Sequence, residues 1–172
     1  IHLDGARIFN AAIALENSVE ELTKDVDSVQ FCLSKGLGAP VGSLVLGEKD
    51  FTQKVRKWRK TIGGTTRQAG ILAAAGIVAL NNYEESIKRD HDLAKYMHEK
   101  LSEIENITPE SVETNLVFFN INADNPGEIS RKLKEKGING GAETNRWRFV
   151  PHYGLTKEDI DYVAETLNKL LN

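Results

Sequence analysis

Apolar residues along this chain change their spacing several times, and each change marks an element. Leu3 lies in a short apolar run that Asp4 closes. Ile8, Ala11, Ala12 and Leu15 then recur at the i, i+3, i+4, i+7 spacing of one helical face, which predicts a helix over Gly5–Leu15. Asn17-Ser18 can cap a second short helix to Leu22, with Glu20 and Glu21 in the first turn, where the helix dipole favours acids. Asp27–Leu33 is β-prone and nearly continuous in apolar character, the pattern of a buried strand, and Ser43–Leu46 is a second, shorter one. Helical spacing returns over Glu48–Lys60, with a basic side. Gln68 to about Asn81 is built around Gly70, Ala73, Ala74, Ala75 and Gly76, small residues that let another element pack closely, as in a core or subunit-interface helix.

The composition shifts at Asn81-Asn82, which predicts one domain over 1–82 and another over 83–172. Charged residues dominate from Glu84 to Glu105, with Leu93, Met97 and Leu101 as the apolar stripe of a long amphipathic helix. Strands and helices alternate from Ile107 onward. Asn115–Ile121 reads as a strand, Pro126–Lys136 as a helix begun by proline in its first turn, and Gly137–Gly141 as a turn. Trp147–Val150 reads as a strand. Thr156–Leu171 closes the chain as a helix, with Thr156 as cap and Asp159 completing a capping-box pattern. These elements describe a small α+β domain with an antiparallel sheet.

The 172 residues are 40% hydrophobic and 27% charged, the balance of an ordinary globular protein. A net charge of −3 gives no footing for nucleic acid or an anionic membrane as partner. The longest apolar stretch, Ala69–Leu80, is too short to span a bilayer. No signal peptide is visible, and a soluble cytoplasmic protein is expected. Cys32, the one cysteine, reads as a small buried hydrophobe within a strand. His91 and His98 fall seven apart on one helix face with no third ligand, so two exposed helix histidines are expected and no metal site.

The candidate chemistry lies at the ends of the first two strands. Lys35 follows the apolar run Phe31-Cys32-Leu33, and three glycines and one proline fill the next seven residues. Such a turn cannot be a regular helix and lets backbone approach a ligand. A partly desolvated lysine loses basicity, and its neutral amine attacks aldehydes. In an open parallel sheet the carboxyl ends of strands meet at the ligand crevice, which would bring Asp4 and Lys35 to one place. An acid for a pyridine nitrogen and a lysine for an aldehyde are what a protein contributes to pyridoxal phosphate chemistry.

His2-Leu3-Asp4-Gly5-Ala6-Arg7-Ile8-Phe9-Asn10-Ala11, Phe31 through Ser43, and Arg67-Gln68-Ala69-Gly70 resemble, in order, the sequence blocks of the threonine aldolases. Those enzymes belong to the aspartate-aminotransferase-like class of pyridoxal phosphate enzymes. The resemblance implies an α/β fold: residues 1–82 as the C-terminal part of the cofactor-binding large domain, and 83–172 as a small α+β C-terminal domain. It implies cleavage of threonine or allo-threonine to glycine and acetaldehyde, with Lys35 and Asp4 as catalytic, cofactor-holding residues. Position alone makes Arg7 a surface arginine, whereas the resemblance places it at substrate and cofactor. Lys60 and Arg67 bracket Gly63-Gly64-Thr65-Thr66, a loop whose N–H groups could point at an anion. By the resemblance both reach the cofactor phosphate of a neighbouring subunit, although the family usually has glycine and methionine where Thr65 and Thr66 stand. Arg148, in Arg148-Phe149-Val150-Pro151-His152, matches the arginine that holds the substrate carboxylate, a bidentate pairing. Pro151 replaces a residue that is usually polar, and His152 fits a substrate contact and a structural role equally. Family members are about twice as long, so the chain reads as a C-terminal half whose partner is the N-terminal half, within a homo-oligomer (a dimer or tetramer). The phosphate loop and the aromatic cover of the ring would come from that other half. The residues name no general base. They leave open a β-eliminating lyase, or a non-catalytic assembly module of a split enzyme.

Overall fold

The computed structural model describes all 172 residues and divides them into two compact units, Ile1–Ile87 and Lys88–Asn172. In the first unit, β1 (His2–Asp4) pairs in parallel with β2 (Ser28–Cys32), and β2 pairs antiparallel with β3 (Ser43–Gly47). The sheet is therefore parallel only where Asp4 and the strand leading to Lys35 run side by side. The first helix, α1, spans Ile8–Ala14 and starts three residues later than its apolar spacing predicts. Gly5 is still engaged by the sheet, its N–H donating to Gln30 O at 2.8 Å, and Ala6 N–H turns back to Asp4 Oδ1 at 3.1 Å. A short α2 (Val19–Thr23) follows, capped as expected by Ser18, whose hydroxyl accepts from Glu21 N–H at 3.0 Å. Ile8, Phe31, Leu33, Leu37 and Ala39 form the buried core of this unit.

Beyond β3 the unit opens. Helices α3 (Lys49–Thr61) and α4 (Gly70–Asn81) follow, and all five residues of β3 are exposed. The later start of α4 is set by Gln68, whose φ of 51° is left-handed and cannot sit inside a right-handed helix. Only Gly76 of α4 is buried, against Leu33, where a Cβ would come within 3.1 Å of Cδ1. Trp58, Ile62, Ile71 and Val78 each expose 62–77% of their surface. The small-residue character of α4 thus serves one close contact, Ala79 and Leu80 pack against the core at the end of the helix, and Ile71, Ile77 and Val78 stay exposed.

Helix α5 (Tyr83–Ser102) leads into the second unit, whose sheet is antiparallel throughout: β4 (Ile107–Pro109), β5 (Val117–Ile121) and β6 (Arg146–Phe149), in that order. Helices α6 (Pro126–Glu135) and α7 (Lys157–Leu171) join α5 on one face. Asn125 caps α6 ahead of its proline, and Thr156 and Asp159 form the predicted capping box on α7. Alternation decides the faces. Val117, Phe119, Ile121, Trp147 and Phe149 point into the core, and Phe118, Asn120, Arg146 and Arg148 lie on the other side. Trp147, 1% exposed, packs edge-on against Phe119 and donates its indole N–H to Thr144 O at 2.7 Å. Trp147→Ala should cost about 3–5 kcal/mol, read as a lowered urea midpoint in unfolding of this unit.

His91 departs from its expected exposure. It is 5% exposed, next to the equally buried Asp90, which accepts from Arg89 at 2.9 Å. The apolar stripe of α5 is wider than the sequence spacing suggests, because two polar residues turn inward with it. Burial, reinforced by Lys95, holds the imidazole pKa below its ordinary value of 6.5. The stability from burying it neutral is fully present above about pH 6.5. It is lost as pH falls from there toward the lower folded value, because in that interval the unfolded chain holds the proton and the folded chain does not. Wild type should lose this increment as the pH falls below about 6.5. His91→Gln should not, as the difference between their urea midpoints at each pH will show. No helix is long and apolar enough to cross a membrane.

Candidate active site

Asp4 ends β1 opposite Gln30 of β2, and one carboxylate oxygen accepts from both the Gln30 amide and Ala6 N–H. Two donors on one oxygen fix the orientation of the carboxylate. Gln30 carries no signal of its own in the sequence; only the parallel register that sets it beside Asp4 reveals it. Arg7, half-buried at the N-cap of α1, lines the same cleft of about 310 Å³ with Asp4, Gly5, Ala11 and Leu22.

Lys35 leaves β2 three residues past its last paired residue, in a loop that closes on itself. Leu33 N–H donates to Gly42 O, Ala39 N–H to Leu33 O and Gly38 N–H to Lys35 O, each at 2.9 Å. Gly38 (φ 76°) and Gly42 (φ 124°) take conformations that side chains disfavour. Gly36 lies so close to the buried Asn10 that a Cβ there would collide with Asn10 Oδ1. The Asn10 of the first sequence block and the glycine after Lys35 thus form one contact. Lys35 itself is exposed, so these 172 residues do not supply the desolvation expected of it.

Lys60 and Arg67 are both exposed, at the end of α3 and in the loop before α4. The loop between them differs from its anion-cradle reading. Gly63 N–H donates to Lys60 O at 3.2 Å and Gly64 N–H to Arg59 O at 2.8 Å, so both groups close the helix end. What the loop presents outward is its two cations.

In the second unit Arg148 stands on the open face of the sheet, directly across from Phe118. No carboxylate of the chain is paired with it, although Arg146, two residues earlier on that face, is held bidentately by Glu110. Arg148, His152 and Tyr162 border a cleft of about 590 Å³, walled by Met97, Ile138 and Val163. The pairing of Glu110 with Arg146 escaped the sequence, since 36 residues separate them.

The fold matches those of solved threonine aldolases and aminotransferases over about half of their chains. A threonine aldolase from Leishmania major superposes with a TM-score of 0.73 at 16% identity, over 99% of this chain and 52% of that one. The cystine C–S lyase C-DES superposes with a TM-score of 0.68 at 18% identity, over 92% of this chain and 50% of that one. Residues 1–124 match the beta-eliminating lyase family, and the chain belongs to it. Low-specificity L-threonine aldolase 1 of Arabidopsis thaliana is 42% identical over 99% of this chain and 49% of its own length. The low specificity L-threonine aldolase of Escherichia coli K12 is 40% identical over 95% of this chain and 49% of its own. The chain thus spans about half the length of the curated relatives it matches.

Proposed function

We propose that this chain is the C-terminal half of a pyridoxal phosphate-dependent aldolase that cleaves threonine or allo-threonine to glycine and acetaldehyde. The observation that carries this reading is the oriented Asp4 carboxylate at one strand end, beside a parallel strand that runs out into the glycine turn of Lys35. The donor set fits the cofactor, offering a fixed carboxylate for a pyridinium nitrogen, a primary amine for an aldehyde, and exposed cations for a phosphate. When bound, the cofactor supplies an electron sink for the pair released from the Cα–Cβ bond.

The residues then have separate tasks. Lys35 would hold the cofactor through its amine. Asp4, its orientation fixed by Gln30 and Ala6, keeps the pyridine nitrogen protonated by charge-assisted hydrogen bonding. Arg148 would receive the substrate carboxylate, and Arg7, in the cleft beside Asp4, would lie at substrate and cofactor. Lys60 and Arg67 hold the phosphate of a neighbouring subunit's cofactor. Desolvation of Lys35 falls to the N-terminal half and to neighbouring subunits, which would also cover β3, α3 and α4. The assembly is a homo-oligomer, with two shared sites in a dimer as the smallest closed arrangement.

The test is reconstitution. The chain alone should bind pyridoxal phosphate weakly and release no acetaldehyde from threonine. Adding the N-terminal half should restore both, and Arg67→Ala should then weaken cofactor binding more than it slows turnover. Full activity from the chain alone would refute the shared site. A restored assembly that releases an ammonium ion and a keto acid instead of glycine would assign β-elimination.

A further inference from the structure

Beside Arg148, the open face of the second sheet holds an ion pair to which the aldolase reading gives no role. Pro109 pairs with Phe119, and the ladder continues one residue further, with Glu110 N–H donating to Phe118 O at 2.8 Å. Phe118 is in turn opposite Arg148, so Glu110, Phe118 and Arg148 form one row across three strands. Arg146 crosses that row diagonally. Its guanidinium lies 4.3 Å from the Phe118 ring centroid and reaches both Glu110 oxygens, at 2.7 and 2.9 Å. Arg146 and Arg148 are two residues apart on the same side of one strand, about 7 Å along it. One of the two guanidinium groups is therefore neutralised within the chain and the other is not.

We propose that Glu110 is a specificity-determining residue: by occupying Arg146 it leaves Arg148 as the single open guanidinium, and so restricts this face to monocarboxylates. The proposal rests on the reading of Arg148 as the carboxylate receptor. An amino acid whose side chain carries no charge needs one such receptor. Two open guanidinium groups on one face would bracket the two carboxylates of an acidic amino acid and favour it instead. Stability does not account for the pair well, because both partners are substantially solvated and such ion pairs contribute little. The Arg146 hydrogen bonds hold the Glu110 carboxyl below its ordinary range, which keeps the pair charged and closed into mildly acidic solution.

The experiment titrates the full 172-residue chain with acetate and with succinate at constant ionic strength, following the arginine Nε–H signals by NMR. In wild type the two probes should bind within about threefold of each other and move the Arg148 signal alone. In Glu110→Gln, succinate should tighten by about tenfold, acetate should change by less than about threefold, and the Arg146 signal should join the response. Glu110→Asp, which keeps the carboxylate, and the double variant Glu110→Gln/Arg146→Gln should both return the wild-type ratio. Glu110→Ala carries the same test if the glutamine variant fails to fold. An unchanged succinate-to-acetate ratio after loss of Glu110 overturns the proposal and leaves the Arg148 reading intact. Acetate binding that survives Arg148→Gln, or an Arg148 signal that neither probe moves, overturns the Arg148 reading and the proposal with it.

Discussion

Lys35→Ala, in the chain assembled with its N-terminal half, should leave a folded protein without measurable threonine cleavage, a loss of at least about a thousandfold in turnover or ~4 kcal/mol of barrier. The lysine is exposed at the tip of a loop held by three backbone hydrogen bonds that do not involve its side chain, so its removal costs the fold little. Other lysines cannot substitute: Lys24 is paired with Glu21, Lys132 with Glu128, and those of α3 project from a helix surface. Unfolding midpoints equal to wild type, together with lost turnover and lost covalent cofactor, are the expected result. Glycine release near the wild-type rate would remove Lys35 from the mechanism.

Asp4→Asn should separate binding from chemistry. The asparagine side chain has nearly the same shape and keeps one oxygen to accept from Ala6 and Gln30, so the strand end is retained. What it loses is the negative charge that stabilises a protonated pyridine nitrogen, and charge-assisted hydrogen bonds are roughly twice as strong as neutral ones. The assembled variant should bind cofactor within about threefold of wild type and turn over about 100-fold more slowly, ~3 kcal/mol of barrier. A variant with near-normal turnover would make Asp4 a strand-end residue and nothing more.

How far such residues can be read without a structure depends on the range of the interactions that place them. Elements set by local chemistry are legible. The Thr156–Asp159 capping box, the Ser18 cap and the proline-led α6 form where short-range rules put them. Helix starts fail where a long-range bond competes, as at Gly5, whose N–H belongs to the sheet rather than to α1. The inward turn of His91 and Asp90 is likewise invisible to spacing, because burial is decided by what packs against α5. Of the proposed site residues, Asp4 and Lys35 stand out in the sequence because each follows an apolar run, whereas the contacts of Gln30 with Asp4 and of Glu110 with Arg146 depend on strand register. The loop after α3 shows the reverse failure. Its glycines suggest an anion cradle, but the helix end takes their N–H groups first.

The proposed attachment of pyridoxal phosphate to Lys35 can be read chemically. Borohydride reduction of the assembled, cofactor-loaded protein, followed by proteolysis and mass spectrometry, tests it most directly. A single reduced phosphopyridoxyl adduct is expected, on the peptide containing Phe31 through Gly42, at Lys35. An adduct on any other lysine, or none in a protein that still cleaves threonine, would contradict it.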